Sequence, residues 1–277
     1  MAPLPTFDVA TTDPSVLRTV ARSAASPSAR GDELMLIASN SAGGALALNA
    51  LLGLEALGYR HALLVAYERD VCTTLGDAVG RVPARLGRDA IARTPCVWDS
   101  FWESGLEALP RAPAIAGRYR QWLVRWSVFA RLVRLGYNVL CVDADAVLLD
   151  HALRHLHSAA LCGTASLMFA TDYDPGSPFL QNGVVYACGA ARDGAAAWVL
   201  AEMVDRFFRL ADACGGAGDV ALATKDGGGG GKDGGGGGTP CPAGSWLRAA
   251  RAYDGFHFDQ WQHRSVVQVA ATGDGRP

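Results

Sequence analysis

The stretch Val139-Leu140-Cys141-Val142-Asp143-Ala144-Asp145-Ala146-Val147-Leu148-Leu149-Asp150 decides the fold. Its apolar, partly β-branched opening reads as a strand buried on both faces. The strand ends on two carboxylates one residue apart. Anions that close repel each other and cost desolvation unless something positive lies between them. Mg²⁺ and Mn²⁺ answer that need, because they prefer oxygen ligands and share them with substrate phosphates. Asp143 and Asp145 are therefore the first candidates for chemistry. Asp-x-Asp also occurs in turns and helix caps, so the flanking sequence carries the weight.

Outward from this strand, short apolar runs alternate with helical segments. Residues 34–39 read as a strand, and 45–57 as a helix closed by Gly58, a residue suited to the position after a helix end. Residues 61–67 form a second strand, followed by a short helix near 70–79, and 94–98 a third strand. Over 119–135, Trp122, Trp126, Phe129 and Val133 stand at helical spacing, and the pattern stops at Gly136. After the strand 138–142 come strands at 167–171 and 183–188, then a long helix over 194–213. This alternation implies an α/β fold with a Rossmann-like, mostly parallel sheet flanked by helices. In such sheets ligands bind at the carboxyl ends of strands, where Asp143 and Asp145 fall.

Composition bounds the rest. The 277 residues are half hydrophobic and 19% charged, which is globular composition with room for a sizeable core. Residues 1–33, rich in Pro, Ser, Thr and Ala, read as a loose lead-in to one domain over 34–277. A glycine-rich insertion at 225–239 interrupts that domain, too poor in side chains to build a core. The only lysines, Lys225 and Lys232, lie in the insertion, so nearly all positive charge is Arg. No basic stripe with interleaved aromatics appears, which argues against nucleic acid as a partner. The seven cysteines show no zinc spacing. An odd, unpatterned set argues against a disulfide framework, and Cys141 and Cys188 read as small core residues. No basic-then-apolar leader opens the chain, and the apolar stretch 42–57, with Asn49 and Glu55, is too short to span a bilayer. As given, the chain reads as soluble.

Several segments then line up in order. Tyr119-Arg120-Gln121-Trp122-Leu123-Val124-Arg125-Trp126 and Arg134-Leu135-Gly136-Tyr137-Asn138-Val139-Leu140 lead into Val142-Asp143-Ala144-Asp145. Gln181-Asn182-Gly183-Val184-Val185-Tyr186 and Asp259-Gln260 follow. Together they resemble the nucleotide-diphospho-sugar transferases of glycosyltransferase family 77, in the form found in green algae and plants. The resemblance covers about residues 34 to 268 outside the insertion. It implies a GT-A type fold and a retaining transfer of a xylose, arabinose or galactose class sugar from a UDP-sugar. The acceptor it implies is a cell-wall glycan or glycoprotein, and the setting is the Golgi, with membrane attachment through a segment this chain does not contain.

The resemblance also implies roles. Asp143 and Asp145 match its metal motif, one on Mn²⁺ or Mg²⁺ and the other on the metal or the ribose. Ala38, Ser39 and Asn40 end the first strand, where the nucleotide sits in such folds, and Glu68 ends the second, as a base or ribose contact. Arg125 contacts the diphosphate, although an Arg on an amphipathic helix ordinarily lies on a solvated face. Asp172 orients the donor sugar. Gln181 and Asn182 hydrogen-bond hydroxyls near the sugar and acceptor, and Asp259 and Gln260 sit at the sugar or acceptor. His151, His155 and His157 read as a helix surface, since Arg154 and a missing fourth ligand speak against a metal cluster.

Two other readings compete. A phosphohydrolase of the haloacid dehalogenase type also uses apolar-Asp-x-Asp, but places it on the first strand and needs a downstream Lys. A truncated, inactive relative acting as a binding protein is the other, because the chain ends soon after Asp259-Gln260.

Overall fold

The computed structural model describes residues 4–11, 13–28, 30–103, 118–171 and 180–213. Its central strand, β3 (Gly31–Ser39), turns alternate side chains into two separate apolar layers. Leu34, Leu36 and Ala38 belong to one layer, Met35 and Ile37 to the other. A strand buried on both faces needs cover on both sides. On the first side lie α1 (Pro14–Ala24), α6 (Arg118–Arg134) and α8 (Ala195–Ala213). On the second lie α2 (Gly44–Ala56) and α3 (Arg69–Arg81), with Leu153 of the short α7 (Ala152–Leu156). One-turn helices α4 (Arg88–Ile91) and α5 (Ser100–Glu103) fill the connections around β5.

The strands are β1 (Thr6–Asp8), β2 (Ser26–Ser28), β3, β4 (Ala62–Ala66), β5 (Cys96–Trp98), β6 (Asn138–Asp143), β7 (Leu167–Thr171) and β8 (Leu180–Ala187). Their order across the sheet is β1-β5-β4-β3-β6-β8-β7, with β2 paired to the start of β3. From β1 through β6 the neighbours are parallel. β8 runs antiparallel to both β6 and β7, and β2 antiparallel to β3. The protein is thus α/β, with a mostly parallel mixed sheet flanked by helices, compatible with a Rossmann-like fold. From β3 the chain builds outward through β4 to β5, then returns to place β6 on the other side of β3. Such a reversal opens a crevice at the carboxyl ends of the two strands it separates. Gly58 and Gly136 close α2 and α6 with φ of 82° and 94°, a left-handed turn that glycine adopts without Cβ strain.

Two expectations are corrected. The N-terminal stretch is not a loose lead-in, for it carries β1, α1 and β2. Asp13 caps α1 by accepting from the Ser15 N–H (2.9 Å), with Pro14 in the first turn, and Leu17, Val20 and Ala21 enter the core. The cysteines are also not all isolated core residues. Disulfides join Cys72 of α3 to Cys96 of β5, and Cys162 to Cys188 just after β8, each with Cα atoms 5.7 Å apart. Tertiary packing brings these pairs together across separations of 24 and 26 residues, which leave no local pattern. The glycine-rich segment 225–239 lies outside the described residues. Among the described residues no helix is long and apolar enough to cross a membrane.

Candidate functional site

Register brings the carboxyl ends of β3 and β6 side by side. Ala38 stands directly opposite Asp143 in the parallel ladder, and Ser39 opposite Ala66 at the end of β4. The carboxyl ends of β3, β4 and β6 therefore meet in one place. Alternation then decides where the first aspartate points. Val139 and Cys141 face the α6 layer, and Asp143 continues that parity. Its carboxylate meets the guanidinium of Arg125 from α6, with Arg125 Nη1 donating to Asp143 Oδ1. The Arg125 side chain is 4% exposed and that of Asp143 37%. Charge pairing of this kind is what lets a guanidinium sit inside a core. The Trp126 ring centroid lies 4.9 Å from the Arg125 guanidinium carbon and adds cation–π contact.

α6 is held at a second point along its length. Arg131 Nη1 donates to the fully buried Asp99 (3.2 Å) and to the Val9 carbonyl (2.7 Å). Thr11 supports the same carboxylate through its hydroxyl at 2.6 Å. Burial pushes the Asp99 carboxyl above the usual range, with these hydrogen bonds and Arg131 pulling the other way. Ionic contacts at the middle and near the C-terminal end of α6 thus tie the helix to the sheet side and to the segment after β5.

Tyr67, the residue after β4, is buried on the same face and within electrostatic reach of Arg125 and Asp143. Burial holds its phenol well above the ordinary value, so it stays a neutral hydrogen-bonding group. Burial likewise pushes the Cys141 thiol up to about 12, which leaves it inert.

Asp145 differs from Asp143. It lies in the turn after β6, exposed, and its carboxylate has no partner among the described residues. Asn40 is occupied locally, its Oδ1 accepting from Gly43 N–H (2.6 Å) at the entry to α2. The buried Ser39 donates its hydroxyl to the Asn40 carbonyl (3.0 Å). Glu68 is exposed at the residue before α3 and makes no capping hydrogen bond. On the other flank the β6–β8 ladder ends at Val142↔Val184, so the β8 backbone at Asn182 and Gln181 continues past the end of β6. The side chains of Gln181 and Asn182 lie outside the described residues, as do Asp172, Asp259 and Gln260 entirely.

The structure thus brings together Ala38, Ser39, Asn40, Glu68, Arg125, Asp143 and Asp145. Arg125, expected to contact the diphosphate, does not lie on the solvated face usual for such an Arg: it is buried on the Trp122–Trp126–Phe129 side of α6, which packs on the sheet. Sequence reasoning missed Tyr67, which shares the alternation of Leu63 and Val65 into the same layer.

The three histidines near α7 part company. His151 Nδ1 lies 3.0 Å from Tyr59 Oη, and His155 lies 3.6 Å from the exposed Asp150. His157 Nε2 is 2.5 Å from the buried Glu33, whose Oε1 also accepts from Tyr186 Oη (3.1 Å). That trio belongs to the opposite end of β3, where Glu33 pairs with Asn138. Among the described residues no group of three or more His, Cys, Asp or Glu is placed to hold a metal ion.

Two carboxylates can still serve a hard cation, because Mg²⁺ and Mn²⁺ commonly take one or two carboxylates and complete their shell with water and phosphate. Asp145 offers both oxygens and Asp143 its Oδ2, and this donor set suits such an ion. The arrangement is an α/β sheet whose switch point carries two carboxylates one residue apart and a buried guanidinium. No protein-family model and no curated protein matches this chain.

Proposed function

We propose that the chain is a metal-dependent glycosyltransferase of the GT-A type. It would move a xylose, arabinose or galactose class sugar from a UDP-sugar to a cell-wall glycan or glycoprotein acceptor, with retention of configuration. The observation that carries this reading is the placing of Asp143 and Asp145 at the β3–β6 switch point, with Ala38 directly across the ladder. Asp145 and Oδ2 of Asp143 are the groups that would hold Mn²⁺ or Mg²⁺. When bound, the ion supplies positive charge to the leaving diphosphate.

The chain's own residues do the rest. The backbone at Ser39 and Asn40, whose side chains are spent on the loop, gives the nucleotide a fixed edge. Glu68 stands at the neighbouring strand end for the base or ribose. Arg125 offers a fork suited to phosphate oxygens. Gln181 and Asn182 continue past β6 on the side left for the sugar and acceptor. Disulfides persist in oxidising compartments, so Cys72–Cys96 and Cys162–Cys188 support a lumenal setting such as the Golgi.

The test is turnover of a UDP-sugar panel with Mn²⁺, read as UDP release. One sugar should be consumed well above the others, and Asp145→Asn should lower that rate about a hundredfold. No turnover with UDP still bound would favour a binding protein. Release of phosphate from phosphomonoesters, abolished by Asp143→Asn, would favour a phosphohydrolase.

A further inference from the structure

Arg125 and a cation make rival claims on the same carboxylate. α6 contains no acidic residue, so the helix brings no counter-charge of its own to this guanidinium. Asp143 supplies it, reaching Arg125 from the face of β6 that the alternation dictates. A divalent ion on Asp143 and Asp145 would stand close to a fixed positive charge inside a low-dielectric wall, where repulsion is strong. Arg125 and the ion therefore cannot both take Asp143 at full strength. The ligand that resolves the conflict is an anion with several oxygens, since a guanidinium fork released from Asp143 is made to grip one.

We propose that Arg125 is the built-in counter-ion of Asp143, handed over from Asp143 to the substrate diphosphate when the cation binds. The inference rests on the metal-dependent transferase reading and deepens it. Cation and diphosphate then reinforce each other through Arg125, because each favours the arrangement in which Arg125 has left Asp143. Asp145, exposed and without a partner among the described residues, makes the first, weak contact with the ion together with Oδ2 of Asp143, and Asp143 takes the ion at full strength once Arg125 has left its Oδ1. The aspartate pair thus holds a cation poorly until a nucleotide diphosphate is present.

The test is Mn²⁺ binding to the full chain, by calorimetry or by the electron paramagnetic resonance of free Mn²⁺, with and without UDP. In the absence of UDP, Arg125→Met should bind Mn²⁺ about tenfold more tightly than the wild type. Its gain in Mn²⁺ affinity on adding UDP should shrink by a similar factor. Arg125→Lys keeps a cation beside Asp143 and should stay within about threefold of the wild type without UDP. If the apolar variant does not fold, Arg125→Gln, which removes the charge and keeps a donor for Asp143 Oδ1, carries the same expectation. Neutral variants that bind Mn²⁺ alone no more tightly than the wild type would overturn the handover while leaving the transferase reading standing. Equal tightening in the Lys and neutral variants would overturn it too, as a packing effect. If neither the wild type nor any variant binds Mn²⁺, both the handover and the reading beneath it fall.

Discussion

Replacing Cys72 and Cys96 together by Ala examines a bond that local sequence does not announce. The disulfide joins α3 to β5 across a separation of 24 residues. Loop-closure entropy for a ring of that size removes about 3.5 kcal/mol of freedom from the unfolded chain. Both sulfurs are buried, at 1% and 0% residue exposure, and Ala keeps the positions apolar. For a chain near this size that loss corresponds to a fall in Tm of about 7–14 °C. The assay is thermal unfolding of wild type and double variant under non-reducing conditions, with peptide mapping of the wild type to show residues 72 and 96 linked. An unchanged Tm, or unlinked peptides, would refute the reasoning.

Acid should destabilise the fold partly through His61. Burial and nearby His151 hold its pKa below 6.5, and its Nε2 is buried without a hydrogen-bond partner among the described residues. Below 6.5 the unfolded chain binds the proton more readily, so stability is lost as pH falls. Tm measured at pH 7.5 and 5.5 should drop less in His61→Phe than in the wild type. Asp143→Asn should destabilise by about 1–3 kcal/mol in denaturant unfolding, because the buried Arg125 loses the charge of Asp143 beside it. Asp145→Asn should stay within about 0.5 kcal/mol, as an exposed turn residue does. Tyr186→Phe removes one of the two groups that meet the buried Glu33 carboxylate, the other being His157, and should cost about 1 kcal/mol in the same assay.

Much of the architecture is legible from periodicity alone. The apolar runs that become β3, β4 and β6 are continuous and short, with glycine or polar residues at their ends, which reads as strands covered on both faces. Gly58 and Gly136 mark helix ends because their positive φ admits no cheap substitute. What escaped reading has physical causes. β1 and β2 are three residues each, too short for alternation to show, and the partner of β1, β5, lies some 90 residues further along the chain. The disulfides arise where α3 crosses β5 and where the segment after α7 meets the end of β8, which spacing cannot reveal. Arg125 stands three residues after Trp122 on the buried side of its helix, so helical spacing alone places it inward. Its charge argues for solvent until Asp143, 18 residues away, is seen to balance it. The aspartate pair was legible as a candidate site at a strand end, but not the split within it: one carboxylate held by an arginine, the other exposed.

That split makes the decisive measurement simple. UDP should be titrated into the protein by calorimetry with Mn²⁺, with Mn²⁺ removed by chelator, and again with Asp145→Ala. The expected result is saturable UDP binding that depends on Mn²⁺ and weakens at least about tenfold in the variant. UDP binding of equal strength in all three experiments, or none in any, would contradict a diphosphate site at Asp143 and Asp145.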